Sequence, residues 1–284
     1  MKRIGSILRA SAAMLVIVVS ACAFLSPNLG RAAEKLPEAS AVTRRMIERA
    51  QAVARAEQGP QYTYDKRSLL QELDAAGKTI KSEEKFYQVH LIAGFPFNRL
   101  VKIQGRELTP EELKKEERKE ERFRQKFVSA DARKMASRKE AWVTPELLER
   151  YQFEVKERIT LSNRATLVLT FRPKDGKLPN KTITDKLLNH MTGTVWVDEA
   201  DGDTAKLSVH LLETVSLGWL GVLGSLSQCE LSLERQRMAE GVWINAEQDL
   251  LIQYRKLTST RHFRTTEESS QFKKAPASLA SPLL

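Results

Sequence analysis

Residues Gly193–Leu211 read GTVWVDEADGDTAKLSVHL, and this stretch decides the fold. Val195 and Val197 alternate with Thr194 and Trp196. After the acidic Glu199 to Asp203 segment, Ala205, Leu207, Val209 and Leu211 alternate with Lys206, Ser208 and His210. A period of two is that of a β-strand with one face buried. Two such runs joined by a short Asp- and Gly-rich turn read as a hairpin, the unit of an antiparallel sheet.

The same period recurs in both directions. Phe153, Val155, Ile159 and Leu161 alternate with polar residues, Ser162-Asn163-Arg164 turns, and Ala165, Leu167, Leu169 and Phe171 alternate with Thr166 and Thr170. Downstream, strands are expected at Leu226 to Arg237, Gly241 to Ile252 and Lys256 to Glu267. Upstream, Tyr87, Val89, Leu91 and Ala93 alternate with Phe86, Gln88, His90 and Ile92, and the Asp74 to Lys78 turn pairs this segment with Gln61 to Leu73. Gly94-Phe95-Pro96 reads as a turn before a strand over Phe97 to Ile103.

Helices interrupt the strands twice. Ala39 to Gln58 lacks Gly and Pro and sets Val42, Met46 and Val53 on an apolar stripe at helical spacing. Thr109-Pro110-Glu111-Glu112 combines a Thr N-cap, Pro at the first helical position and a Glu that closes a capping box. The helix it starts is expected to run over 111–138. Thirteen of the sixteen residues from Glu111 to Lys126 are charged, with both signs interleaved, so it reads as a solvated helix. Thr144-Pro145-Glu146 starts a shorter one. The order indicates an α+β fold: one antiparallel sheet of about ten strands, large enough to curl, with helices on one side. The domain is expected to occupy 34–274, with 109–151 as a helical insertion and 275–284 as a disordered tail.

The chain has 284 residues and a net charge of +10, and part of that charge belongs to an export segment. Lys2, Arg3 and Arg9 precede an apolar run from Ala10 to Leu25, followed by Pro27, Gly30, Ala32 and Ala33, which is the layout of a cleaved signal peptide over 1–33. Val19-Ser20-Ala21-Cys22 offers a second reading, a lipoprotein anchored at Cys22. Without residues 1–33 the balance is 42 basic against 36 acidic residues, a net +6. That is ordinary solubility charge, and no nucleic-acid partner is expected. Cys229 then has no partner for an intramolecular disulfide, and a packed thiol in a strand is the expected role.

Chemistry is thinly represented. His90, His190, His210 and His262 stand apart, so no metal site is expected. Neither a nucleophile elbow nor a phosphate-binding glycine loop occurs, and no cofactor or catalytic residue is assigned. Asp198, Glu199, Asp201 and Asp203 could suggest calcium, but lack the distal Glu of an EF-hand loop and sit between two strands, as a hairpin turn would.

Several phrases together resemble a known group. Phe97-x-x-Leu100-Val101, Gly105-Arg106-Glu107-Leu108-Thr109-Pro110-Glu111-Glu112 with its charged helix, Gly193-x-Val195-Trp196-Val197-Asp198 and Gly241-Val242-Trp243-Ile244 resemble exported bacterial proteins of the outer-membrane lipoprotein-sorting (LolA-like) superfamily. The resemblance covers roughly residues 60–270. It implies a curved, unclosed antiparallel half-barrel with helices covering the concave side, as in LolA, LolB and RseB. It also implies a periplasmic, non-enzymatic protein that holds acyl chains of lipids or lipoproteins, or one that senses lipid and binds an envelope partner. It carries over no binding residue.

A sheet with one apolar face must cover it or leave a hydrophobic concavity. Val89, Leu91, Leu167, Leu169, Phe171, Val195, Val197, Leu207, Val209 and Leu211 are the expected lining. The competing reading is that they pack against Val42, Met46 and Val53. The competing function is an interaction protein that captures a partner through the charged helix 111–138.

Overall fold

Hairpin follows hairpin along most of the chain. The computed structural model describes residues 35–55, 61–126, 143–217 and 224–276. The expected signal segment, Cys22, residues 127–138 of the charged helix and the tail beyond 276 lie outside the described residues.

A helix α1 (Ala39–Arg55) comes first, then β1 (Tyr62–Leu73), β2 (Thr79–Ile92), β3 (Phe95–Ile103) and the two-residue β4 (Arg106–Glu107). Helices α2 (Pro110–Lys126) and α3 (Pro145–Leu148) lead to β5 (Tyr151–Leu161) and β6 (Arg164–Pro173). The short α4 (Ile183–Leu188) precedes β7 (Met191–Asp198), β8 (Thr204–Leu211), β9 (Val215–Leu217), β10 (Gly224–Arg237), β11 (Trp243–Lys256) and β12 (Ser259–Lys274). Among the described residues, twelve strands join one sheet in the order β4-β3-β2-β1-β12-β11-β10-β8-β7-β6-β5, with β9 beside β10. Every pairing is antiparallel. The sheet is not closed: β5 forms one edge, and β3 with β4 forms the other.

Three boundaries differ from the sequence reading. Twelve strands replace about ten, because β4 and β9 are too short to show a period. The turn before β3 is Ala93-Gly94, with φ of 51° and 81°, so Phe95 and Pro96 pair with Ile92 and Leu91 inside the strand. The last hairpin turns at Leu257, φ 53°, so β11 and β12 are both longer than their apolar alternation suggested.

Directly opposed residues of an antiparallel pair project on the same face, so the register fixes what each face carries. Leu167 and Leu169 oppose Val197 and Val195, Val195 opposes Leu207, and Val209 opposes Leu231. Leu231 opposes Leu250, Leu250 opposes Thr265, and Thr265 opposes Leu70. On β2 the same face carries Val89, opposite Tyr64. Helix α1 lies on this face, where Val42 and Met46 pack with Tyr151, Leu167, Leu169, Phe171, Val195 and Val197. Leu147 and Leu148 of α3 join the same cluster. Each buried aliphatic side chain there contributes about 1.5–3 kcal/mol.

Helix α2 sits at the far edge. Phe123 packs edge-on to Phe97 with ring centroids 5.1 Å apart, the Glu116 carboxylate accepts from the Leu100 N–H at 3.2 Å, and Lys119 donates to the Asn98 carbonyl at 3.1 Å. A charged helix thus covers part of the outer strand, where free backbone groups would invite edge-to-edge pairing.

Candidate functional site

In the turn from β7 to β8 the acids are taken up by arginines, an indole and backbone N–H groups. Asp198 is fully buried, and its Oδ1 accepts from the backbone N–H of Ala200 at 3.0 Å and of Asp201 at 2.8 Å. The Arg164 guanidinium pairs with both Asp198 oxygens. Asp201 accepts from Arg237 and from the Trp243 indole N–H at 3.1 Å, and Asp203 is held by Arg235 and by Arg49 of α1 at 3.1 Å. Burial pushes Asp198 toward protonation, but Arg164 and the Asp201 N–H outweigh it and hold the carboxyl below its ordinary range. These acids therefore anchor the hairpin to α1 and to the β10–β11 turn. Trp243 belongs to that anchor.

All ten residues expected to line a concavity lie on the face that α1 covers, and the structure divides them. Leu167, Leu169, Phe171, Val195 and Val197 are packed under α1 with Val42 and Met46. Val89 and Leu91 are also buried, on the opposite arm of the sheet. Leu207, Val209 and Leu211 are only half-buried. Leu207 and Val209 border the α1 cluster, and the apolar face continues past them.

That continuation was missed in the sequence, because no single strand displays it. Leu231 on β10, Leu250, Ile252 and Tyr254 on β11, and Phe263 on β12 are half-buried on the same face, and Leu70 on β1 is 41% exposed. Ile252 opposes Cys229 and Phe263, and Leu250 opposes Leu231. Together with Val209 and Leu211 they make an apolar field across five strands, about 19 Å wide at ordinary strand spacing. Among the described residues, the clusters of α1 and α3 end at Leu207 and Val209.

The sheet also splits here. The β8–β10 ladder ends at the pair His210–Glu230, and β9 takes up pairing only at Leu226, so Ser227, Gln228 and Cys229 fall between the two ladders. A cavity of about 520 Å³ opens at the split. Val209, Leu211, Cys229 and Leu231 line it from the apolar face, while His210, Glu230 and Arg264 line it from the other. Burial, with Glu230 adding to it, pushes the Cys229 thiol up, which makes it an apolar wall atom rather than a nucleophile.

A second pocket of about 190 Å³ lies on the same face at the other end of the strands. Pro96 and Asn98 of β3 line it together with Asn245 and Gln248 of β11. Those strands are separated by β2, β1 and β12 in the sheet, so the sheet curls to bring them around one pocket.

Two other histidines make local contacts. His190 Nδ1 lies 2.9 Å from Glu213, and His90 stands beside Phe97 and 3.8 Å from Glu120. Among the described residues no cluster of His, Cys, Asp and Glu has the arrangement of a metal site, and no helix is long and apolar enough to cross a membrane.

No family model matches the chain, and no curated protein matches it. Among solved structures it is similar to a DUF1329 family protein from Desulfovibrio piger, with 11% identity over 83% of this chain and 92% of that one and a TM-score of 0.31. It is similar to a LolA superfamily protein from Nitrosomonas europaea, with 10% identity over 84% and 97% of the two chains and a TM-score of 0.28. A third is the MucA/MucB complex of Pseudomonas aeruginosa, with 10% identity over 84% and 97% and a TM-score of 0.20.

Proposed function

We propose that the chain is a periplasmic, non-enzymatic binding protein that holds acyl chains of lipids or lipoproteins on the apolar field between α1 and β1. Residues 1–33 would export it. The observation that carries this reading is the field itself: Val209, Leu211, Leu231, Leu250, Ile252 and Phe263 share one face, across the four strands β8, β10, β11 and β12, and remain half-buried. A soluble domain rarely leaves such a patch without an occupant. Each methylene that an acyl chain removes from water there contributes about 0.8 kcal/mol. The described residues of the field offer apolar area, and the Cys229 thiol beside them is pushed up by burial, which suits retention rather than turnover.

The charged helix is the basis of a second reading, capture of an envelope protein. Its described part engages β3 through Glu116, Lys119 and Phe123, which gives it a structural task already. Native mass spectrometry of the protein purified from its own envelope tests the first reading. Retained acyl mass, and uptake of a fluorescent fatty acid by the emptied protein, are expected. A protein that is reproducibly empty and takes up no fatty acid would overturn it.

A further inference from the structure

The acyl-binding reading says nothing about the polar end of the ligand, and the 190 Å³ pocket does. The pocket lies on the same face as the apolar field and adjoins it: Gln248 is two residues from Leu250 on β11, and Glu267 is two residues from Thr265 on β12, about 7 Å in each case. Its chemistry is polar, and Lys66 and Glu267 are the charged side chains that the register turns into it; Glu247 also borders it, but it opposes Glu234 and Glu268 and so lies on the other face. Lys66 Nζ lies 3.3 Å from both Glu267 oxygens, and the same ammonium stands 5.4 Å from the centre of the Tyr87 ring. The Lys66 side chain is only 14% exposed and Glu267 31%, so the two neutralise each other inside the pocket wall. Asn98, Asn245 and Gln248 supply amide donors and acceptors around them.

We infer that the pocket seats the head of an amphiphile whose polar group carries no net charge, either an amide or a zwitterion, while its chain lies on the apolar field. This rests on the acyl-binding reading and narrows it. An anionic head such as a free carboxylate would enter beside Glu267 with Lys66 already committed, and would lose hydration without gaining a free cation. A cationic head would meet the mirror problem. The oxygen of an amide, or the anionic end of a zwitterion, can accept from the asparagine and glutamine amides and from a Lys66 N–H not turned to Glu267, while an amide N–H donates to Glu267 or the cationic end of the zwitterion lies against it, without an uncompensated charge.

The test is displacement of the neutral dye N-phenyl-1-naphthylamine from the full-length chain by amphiphiles with one twelve-carbon chain and different heads, all below their micelle concentrations. Dodecylphosphocholine should displace the dye about tenfold more tightly than laurate or dodecyltrimethylammonium. Glu267→Gln should move the preference toward laurate, and Lys66→Gln toward the ammonium. The double variant Lys66→Gln with Glu267→Gln restores neutrality and should restore the original order, which separates head recognition from damage to the fold. One ranking shared by all four proteins, or a wild-type preference for laurate, would overturn the inference while leaving acyl binding intact. If no amphiphile displaced the dye and none bound, the acyl-binding reading would fail and this inference with it.

Discussion

Asp198 and Leu250 represent the two kinds of residue on which the account rests. Asp198 spans the turn that fixes β7 to β8, taking two backbone N–H groups and a guanidinium in a fully buried site. Asp198→Ala would leave Arg164 without its main partner and the turn without its cap, and should cost about 3 kcal/mol in urea unfolding. Acid should reach the same kind of contact. The Asp185 carboxyl is held down to about 2 by the Thr182 backbone N–H and hydroxyl and by Arg150, and Glu112 is held to about 2 by Arg106 and the Thr109 N–H. A depressed carboxyl stabilises the fold above its unfolded value near 4 and loses that contribution as pH falls through its folded value. The melting temperature should therefore be flat from pH 7 to 5 and fall progressively between pH 4 and 2. A melting temperature that stayed level to pH 2 would contradict the assignment. Leu250 has the opposite role. Leu250→Lys should weaken acyl-probe binding about tenfold or more with little loss of melting temperature, because a half-buried lysine can extend to water while its charge disrupts the field. Leu69→Lys, on the other face of β1, should leave binding unchanged; equal losses in both variants would argue against a single binding face.

At the scale of elements, alternation made the strands legible and left the turns uncertain. Gly193 shows what pattern alone does not convey. A Cβ there would stand 2.0 Å from the Ser208 carbonyl oxygen and 3.0 Å from Phe171, so the strand approaches β8 in a way only glycine permits. Gly193→Ala should lower stability by more than about 3 kcal/mol or prevent folding, measured by denaturant unfolding. The N-terminal signals of α2 and α3 were visible as Thr-Pro pairs, and at α3 Thr144 accepts from the Leu147 N–H at 3.2 Å as a cap should. The β3 edge that α2 covers was not visible, because its contacts join residues about twenty positions apart in the chain. Glu116→Ala should speed amide hydrogen exchange at Leu100 without changing exchange in β6 or β7; unchanged protection at Leu100 would mean that α2 does not guard that edge.

At the scale of the whole molecule, the sheet is two meanders that meet where the first strand pairs with the last, Tyr62 opposite Lys274 and Leu73 opposite His262. Nothing local in either strand announces that pairing, since β1 and β12 carry mixed polar and apolar residues on both faces. The sequence reading therefore recovered the antiparallel class and named ten residues that share one face, while which parts of that face are packed under α1 depended on tertiary order. Five of the ten turned out to lie beneath α1, and the open field is completed by Leu231, Leu250, Ile252 and Phe263, whose common face follows only from the register. The central claim is that this field receives the acyl chain. A fatty acid carrying a photoreactive diazirine near its methyl end, bound at one equivalent and irradiated, tests it most directly by showing where the label lands. Labelling concentrated on β10, β11 and β12 around Leu231, Leu250, Ile252 and Phe263 is predicted; labelling scattered over the surface, or confined to the opposite face with His210, Glu230 and Arg264, would contradict it.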